Sequence, residues 1–327
     1  MKQSLKRKIL SNVQADLVAV ETALKENLDP QLELVAQVAG HILFSGGKRL
    51  RPLLTVLGAR MCGFEGAAAA KAASMFEYLH AATLIHDDLI DGADTRRGQT
   101  AAHTIYGNEI AVLTGDFLLA RALAIAADTA IVELVRVIGE VTEQMSLGEI
   151  DQLARKGDVT LKESDYMAVI HRKTAVLFRS ACRAGALLAG APSNRQDALA
   201  DYGYHLGIAF QMADDLLDYT ADGNELGKKV GADLREGKLT LPVIHALARA
   251  TAPDRERMVA IIADTRFSTE AFAELVAYLT TYGGIDYTRQ RAAERVEQAK
   301  AALAPFTDSP TRQTLLDIAD YALVRRH

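Results

Sequence analysis

The sequence predicts an all-α fold, and three observations predict it. Apolar residues recur at helical spacing through most of the 327 residues, alanine and leucine are abundant, and alternating Val/Ile/Thr stretches closed by hairpin turns are scarce. Only 7 prolines interrupt the chain, and Pro30, Pro52, Pro192 and Pro242 stand at the starts or ends of segments. The first segment, 4–27, sets Leu and Val against Asp16, Glu21 and Glu26 as an amphipathic helix does. Pro30 precedes a helix over 31–44 and Pro52 opens one over 51–61, while 66–91 is a long apolar run that ends in acidic residues. Helices follow over 107–127, 130–155 and 163–189, and Pro192 separates the last from 194–219, a second apolar run with an acidic end. Pro242 lies in the first turn of 239–250, and the same periodicity places 253–264, 268–281, 284–303 and 309–325. No low-complexity linker divides the chain, so residues 1–327 are expected to form one helical domain.

Composition narrows the class. A hydrophobic share of 49% and a charged share of 24% are those of a soluble globular protein. A net charge of −5 argues against a nucleic-acid binder. Cys62 and Cys182 lack metal-ligand spacing and fit a reducing compartment. Lys2, Lys6, Arg7 and Lys8 are followed by no apolar stretch of a signal peptide, and no run approaches the roughly 18 apolar residues of a membrane span. A cytoplasmic protein is expected.

The chemistry concentrates at the two acidic ends. One reads Asp87-Asp88-Leu89-Ile90-Asp91, the other Asp214-Asp215-Leu216-Leu217-Asp218. Residues i and i+4 share a helix face, and like charges there disfavour the helix by about 0.2–0.5 kcal/mol per pair. The helix dipole repels anions at the C-terminal end as well. Accepting that penalty twice implies cations. Oxygen-only ligands imply a hard one, and magnesium held by few carboxylates shares its shell with substrate phosphates. Either motif alone reads more simply as a solvated helix end; two copies inside apolar helices do not.

The breaks between helices supply the opposite charge. Gly46-Gly47-Lys48-Arg49-Leu50-Arg51-Pro52 is a glycine-opened basic turn, Gly92 to Thr100 contains Arg96-Arg97-Gly98, and the stretch from Asp222 to Gly237 holds Lys228, Lys229, Asp233 and Arg235, with Lys238 just beyond. Arginine grips phosphate oxygens in pairs and lysine serves as a mobile point charge. Metal, basic turns and apolar helix walls together suit an apolar substrate carrying a diphosphate. The metal would draw charge onto the leaving diphosphate, and dry walls would keep water from the carbocation left behind.

In these motifs, in His80-Ala81-Ala82-Thr83-Leu84-Ile85-His86 ahead of Asp87, and in Gly107-Asn108, Gly115-Asp116-Phe117-Leu118, Lys173-Thr174-Ala175, Phe210-Gln211 to Asp218 and Gly227-Lys228 to Pro242, the chain resembles the trans-isoprenyl diphosphate synthases, in particular their long-chain, octaprenyl-type branch. The matches keep their order from about residue 46 to 242. The resemblance implies a helical bundle around a deep central cavity, usually a homodimer. It implies sequential head-to-tail condensation of isopentenyl diphosphate onto an allylic diphosphate, farnesyl or shorter, to build the side chain of a quinone. It implies three Mg²⁺ ions with diphosphate bound. Carried over to this sequence, Asp87 and Asp91 would hold metal with Asp88 in support, and Asp214 and Asp218 would do so with Asp215 in support. Lys48, Arg51, His80 and Arg97 would bind isopentenyl diphosphate; Arg96, Lys173, Lys228 and Lys238 would bind the allylic diphosphate. Thr174 and Gln211 would lie near the developing cation, and the departing diphosphate would accept the proton. Leu239 departs from the pattern, standing where proline often follows the lysine. His86 reads as a structural group rather than a ligand.

Product length is argued from the helix before Asp87. If the growing tail runs along it, side chains one and two turns upstream can block it, each turn being about 5.4 Å. Ala82 and Thr83 are small where short-chain enzymes often carry an aromatic residue, so the channel is open there, and Tyr78, Leu79 and Met75 are floor candidates. A long product is expected. The other readings are a farnesyl or geranylgeranyl synthase, separable by the products formed, and a non-catalytic partner subunit, which should have lost one acidic cluster or its basic loops. A terpene cyclase has no need of Lys48, Arg51 and Arg97 for a second substrate.

Overall fold

The computed structural model describes residues 2–28, 30–96, 98–220 and 231–324. The described residues are almost wholly helical: α1 (Lys2–Glu26), α2 (Glu33–Leu43), α3 (Leu50–Met61), α4 (Ala67–Ile90), α5 (Ala102–Tyr106), α6 (Asn108–Asp128), α7 (Val132–Ala154), α8 (Glu163–Ile170), α9 (Val176–Leu188), α10 (Ser193–Thr220), α11 (Ala232–Arg235), α12 (Leu241–Arg249), α13 (Ala252–Ala263), α14 (Thr269–Thr281), α15 (Gly284–Ala302) and α16 (Pro310–Val324). Every helix expected from the periodicity is present, with ends displaced by one or two residues. Three small elements were not legible: α5, α11 and an antiparallel hairpin that pairs Thr95–Arg96 with Gln99–Thr100.

One expected helix is not continuous. The stretch 163–189 runs as α8, then a π-helical turn over His171–Ala175, then α9. Such turns widen the backbone by one residue per repeat and redirect side chains, often at functional sites. The redirected residues here include Lys173 and Thr174.

Three apolar clusters hold the helices, and shared helices join them. Residues of α1–α7 and α9 form the first, α8 and α10–α15 the second, and α1, α3, α9, α10, α15 and α16 the third. The central pairs are α10 with α9 and α15, α4 with α6, and α3 with α9. Fully buried side chains such as Phe76, Tyr78, Phe178 and Tyr202 each remove roughly 150–250 Å² from water, which makes α4, α9 and α10 the anchored frame of the site.

Helix α6 departs from the composition-based reading. It is long and apolar enough, by length and composition, to cross a membrane, with mean hydropathy 1.8 over its most apolar stretch. It nevertheless packs along α4 and carries Glu109, Asp116 and Arg121, the last donating to the Asn27 carbonyl at 2.6 Å. Leu113 and Leu123 on α6, and Leu147 and Ile150 on α7, are left exposed.

Candidate active site

The two acidic motifs sit where the sequence put them, at the C-terminal end of α4 and in the last two turns of α10. Within each, the middle aspartate turns into the packed interior. Asp88 is 1% exposed, and its Oδ1 accepts from Arg96 Nε at 2.5 Å. Asp215 is 3% exposed and accepts from Tyr166 Oη at 2.6 Å and from Gln211 Nε2 at 2.7 Å. Burial drives the Asp215 carboxyl well above the ordinary carboxylate range, against the pull of those two donors. Both middle residues are thus held by side chains of the packed interior.

The outer aspartates of α4 are met by lysines. Asp87 lies 3.8 Å from Lys173 Nζ, and Lys173 is also paired with Glu149 of α7. Burial pushes the Asp87 carboxyl up to about 6, with Lys173 opposing and Glu149 adding to the shift. Asp91 caps α4 and behaves oppositely. Burial would raise it, but Lys238 and Lys156, each with Nζ at 3.1 Å, one on either oxygen, bring it below its ordinary value.

Two bridges join the walls. At the π-helical turn, Lys173 reaches toward Asp87 while Thr174 Oγ1 donates to Gln211 Oε1 at 2.8 Å, and Gln211 in turn holds Asp215. Two glycines make this possible. A Cβ at Gly207 on α10 would stand 2.7 Å from Ala175 Cα, and one at Gly148 on α7 would stand 2.9 Å from Lys173 N. Without side chains there, α7 and α10 close on the turn from both sides. The second bridge is Lys238. Asp218 accepts the backbone N–H groups of Ala232 and Asp233 at 3.0 and 3.2 Å, which caps α11, and the Lys238 N–H donates to the Asp233 carbonyl at 2.8 Å. The loop is tied to one wall while its ammonium reaches Asp91 on the other.

The basic turn before α3 divides its labour. Arg49, in a left-handed conformation at φ 46°, turns inward to Glu21 at 2.5 Å, Glu77 at 2.7 Å and the Leu43 carbonyl, so it is a structural ion pair. Lys48 stays exposed, near Leu50 and Phe210. The Arg51 guanidinium lies 5.0 Å from the Phe178 ring centre, and that ring meets Phe210, the neighbour of Gln211. His80 is half-buried on α4. His86 Nε2 lies 3.1 Å from the Val112 carbonyl. Arg97 and Lys228 lie outside the described residues. Behind Asp87, Met75, Tyr78, Leu79 and Ala82 are fully buried, with Tyr78 Oη donating to the Leu24 carbonyl at 2.6 Å, while Thr83 is half-buried.

Several site residues carried no signal in the sequence. Glu149, Lys156 and Tyr166 reach the acidic motifs or their lysines from a turn and helices that have no motif of their own, and only the packing of α7 and α8 brings them there.

Among the described residues, no group of three metal-ligating side chains converges to cage an ion with protein atoms alone. The donor set nevertheless fits magnesium. It is all carboxylate, it is compensated by mobile lysines rather than by fixed arginines at Asp87 and Asp91, and Asp88 Oδ2 is buried with no hydrogen-bond partner. Magnesium that completes its shell with water and substrate phosphate needs no more than this.

A polyprenyl synthetase family model matches residues 32–279. The chain is 39% identical over 310 residues to the octaprenyl diphosphate synthase of Escherichia coli strain K12, covering 95% of this chain and 96% of that one. It is 37% identical to the all-trans-nonaprenyl-diphosphate synthase (geranyl-diphosphate specific) of Rhodobacter capsulatus, covering 98% of each. Among solved structures, it superimposes with a TM-score of 0.92 and 38% identity on a polyprenyl synthase of Caulobacter crescentus complexed with calcium and isoprenyl diphosphate, covering 98% of each chain.

Proposed function

The chain belongs to the polyprenyl synthetase family, and from that premise we propose that it is a prenyltransferase that builds a long-chain all-trans polyprenyl diphosphate, of the octaprenyl type, by sequential head-to-tail condensation of isopentenyl diphosphate onto an allylic diphosphate. The observation that carries the reading is the pair of acidic helix ends bridged through Lys173 and Lys238. A single diphosphate can engage both walls there. Asp87 and Asp91 of one wall, with Asp214 and Asp218 of the other, would hold magnesium, three ions once diphosphate is bound, with Asp88 and Asp215 bracing them. Bound magnesium supplies Lewis acidity that makes the diphosphate a better leaving group.

The remaining work falls to the chain's own side chains. Lys173, Lys238 and Arg96 meet the allylic diphosphate, with Lys228 the fourth basic residue of that set. Lys48, Arg51, His80 and Arg97 hold isopentenyl diphosphate on the α3 side. Thr174 and Gln211 place oxygen dipoles beside the forming cation without a nucleophile strong enough to trap it. The apolar faces of α4 and α6 keep water out, and the departing diphosphate takes the proton released when the new double bond forms.

The active form is a homodimer in the cytoplasm. Leu113 and Leu123 of α6, and Leu147 and Ile150 of α7, are exposed on two helices that pack together, apolar surface that a second copy would cover. Purified protein incubated with Mg²⁺, farnesyl diphosphate and labelled isopentenyl diphosphate should yield products well beyond four isoprene units on chromatography of the hydrolysed alcohols. No elongation by wild-type protein, or full elongation by both Asp87→Ala and Asp214→Ala, would overturn the reading.

A further inference from the structure

Asp91 is held by two lysines, and they are not equivalent. Lys238 Nζ, at 3.1 Å, also pairs with Glu236 at 2.6 Å, and its side chain is only 16% exposed. Lys156 Nζ, at 3.1 Å from the other oxygen, is 32% exposed, and Asp91 is its acidic partner. It comes from the turn after α7, which no motif marks. That turn is firmly placed. Arg155 is fixed by Asp151 at 2.6 Å and Asp165 at 3.4 Å, and the Gly157 N–H donates to the Gly237 carbonyl at 2.8 Å. Both glycines are left-handed, at φ 75° and 76°, so the Lys156 turn and the Lys238 loop lie back to back over the same carboxylate. The backbone is fixed, and the four-carbon stem of Lys156 is the part free to move.

An ammonium on each oxygen occupies one lone pair of each and sets two positive charges against an arriving divalent ion. Moving one lysine off the carboxylate removes half of that repulsion, and Lys238 is the one pinned by a second acid. We propose that Lys156 is a substrate-positioning residue: it neutralises Asp91 in the metal-free protein and moves to the diphosphate of the allylic substrate when magnesium takes that carboxylate. This rests on the reading of the site given above. The released ammonium stays tethered at the mouth, where the incoming diphosphate is the strongest anion. Lys156 thus opposes metal before substrate arrives and supports substrate afterwards.

The two halves move in opposite directions on substitution, which a merely structural lysine would not do. In Lys156→Gln, calorimetric titration of the substrate-free protein with MgCl₂ should show tighter binding, by about two- to fivefold for removal of a partly exposed ion pair. With Mg²⁺ saturating and isopentenyl diphosphate absent, the dissociation constant for farnesyl diphosphate should rise by about tenfold for loss of a charge-assisted contact. Lys156→Arg should restore most of the farnesyl diphosphate affinity. An unchanged or weakened affinity for Mg²⁺ in Lys156→Gln, or an unchanged affinity for farnesyl diphosphate, overturns the proposal while leaving the site reading intact. Wild-type protein that binds neither Mg²⁺ nor farnesyl diphosphate overturns both.

Discussion

At Asp87, burial and charge pull against each other, and burial wins. Holding an aspartate at about 6 instead of 3.8 disfavours its charged form by roughly 3 kcal/mol. Because the folded value lies above the unfolded one, the carboxyl stabilises the metal-free fold fully below about 3.8, and that contribution is lost as pH rises through about 6. The melting temperature of the protein in EDTA should therefore fall between pH 5 and pH 7.5 by a few degrees more in the wild type than in Asp87→Asn; equal falls would refute this. Magnesium needs the charged form, so its affinity should rise over the same interval and stop rising above about pH 7. Arg49 shows the contrasting case. The sequence presents it beside Lys48 and Arg51 as one basic turn, but its guanidinium is buried against Glu21 and Glu77. Removing one partner of such a group leaves the other charged and dry, so Arg49→Ala should lose about 3–5 kcal/mol in urea unfolding. Its KM for isopentenyl diphosphate, measured where the variant is folded, should stay within about twofold.

At the scale of the element, the π-helical turn decides where two key side chains point. Gly148 and Gly207 let α7 and α10 press on it, and the turn presents Lys173 to one acidic wall and Thr174 to the other. In Gly207→Val, the added side chain meets the Ala175 backbone and must push α10 away from the turn. The Thr174–Gln211 hydrogen bond would be the first loss. Steady-state kinetics should show kcat down at least tenfold, as a misplacement near 1 Å implies, whereas KM for isopentenyl diphosphate, whose proposed subsite is on the α3 side, should change little. A variant with normal kcat would show that the turn does not position Thr174 for chemistry. This element also marks where the sequence stopped being legible. Periodicity located each long helix because apolar spacing is a local property. It gave a single helix over 163–189 because the extra residue of a π turn follows from glycines on two other helices. The aspartates and most of their basic partners were readable for a related reason: their charges stand in unbroken motifs. Glu149, Lys156 and Tyr166 were not, since each is an ordinary residue until tertiary packing sets it beside an aspartate.

For the molecule as a whole, the open question is how far a growing chain can travel from the acidic mouth. Along α4, the stretch from Asp87 back to Met75 spans about 18 Å at 1.5 Å per residue. Met75, Tyr78, Leu79 and Ala82 are fully buried along it, and Tyr78 is fixed to the end of α1 through the Leu24 carbonyl, so they belong to packed walls among α1, α4 and α6. Thr83, next to Ala82 and one turn beyond Leu79, is half-buried. It is therefore the position at which added bulk meets the tail first, with least disturbance of the core. Phe at Ala82 must also force apart packed helices, at about 1–3 kcal/mol. Both Thr83→Phe and Ala82→Phe should shorten the product, with Thr83→Phe keeping the wild-type melting temperature to within a few degrees and Ala82→Phe lowering it. Chromatography of the hydrolysed alcohols decides between the alternatives. If Thr83→Phe elongates as far as the wild type, the tail does not run past α4; if the wild type itself stops at four units, the small residues at 82 and 83 do not open the channel.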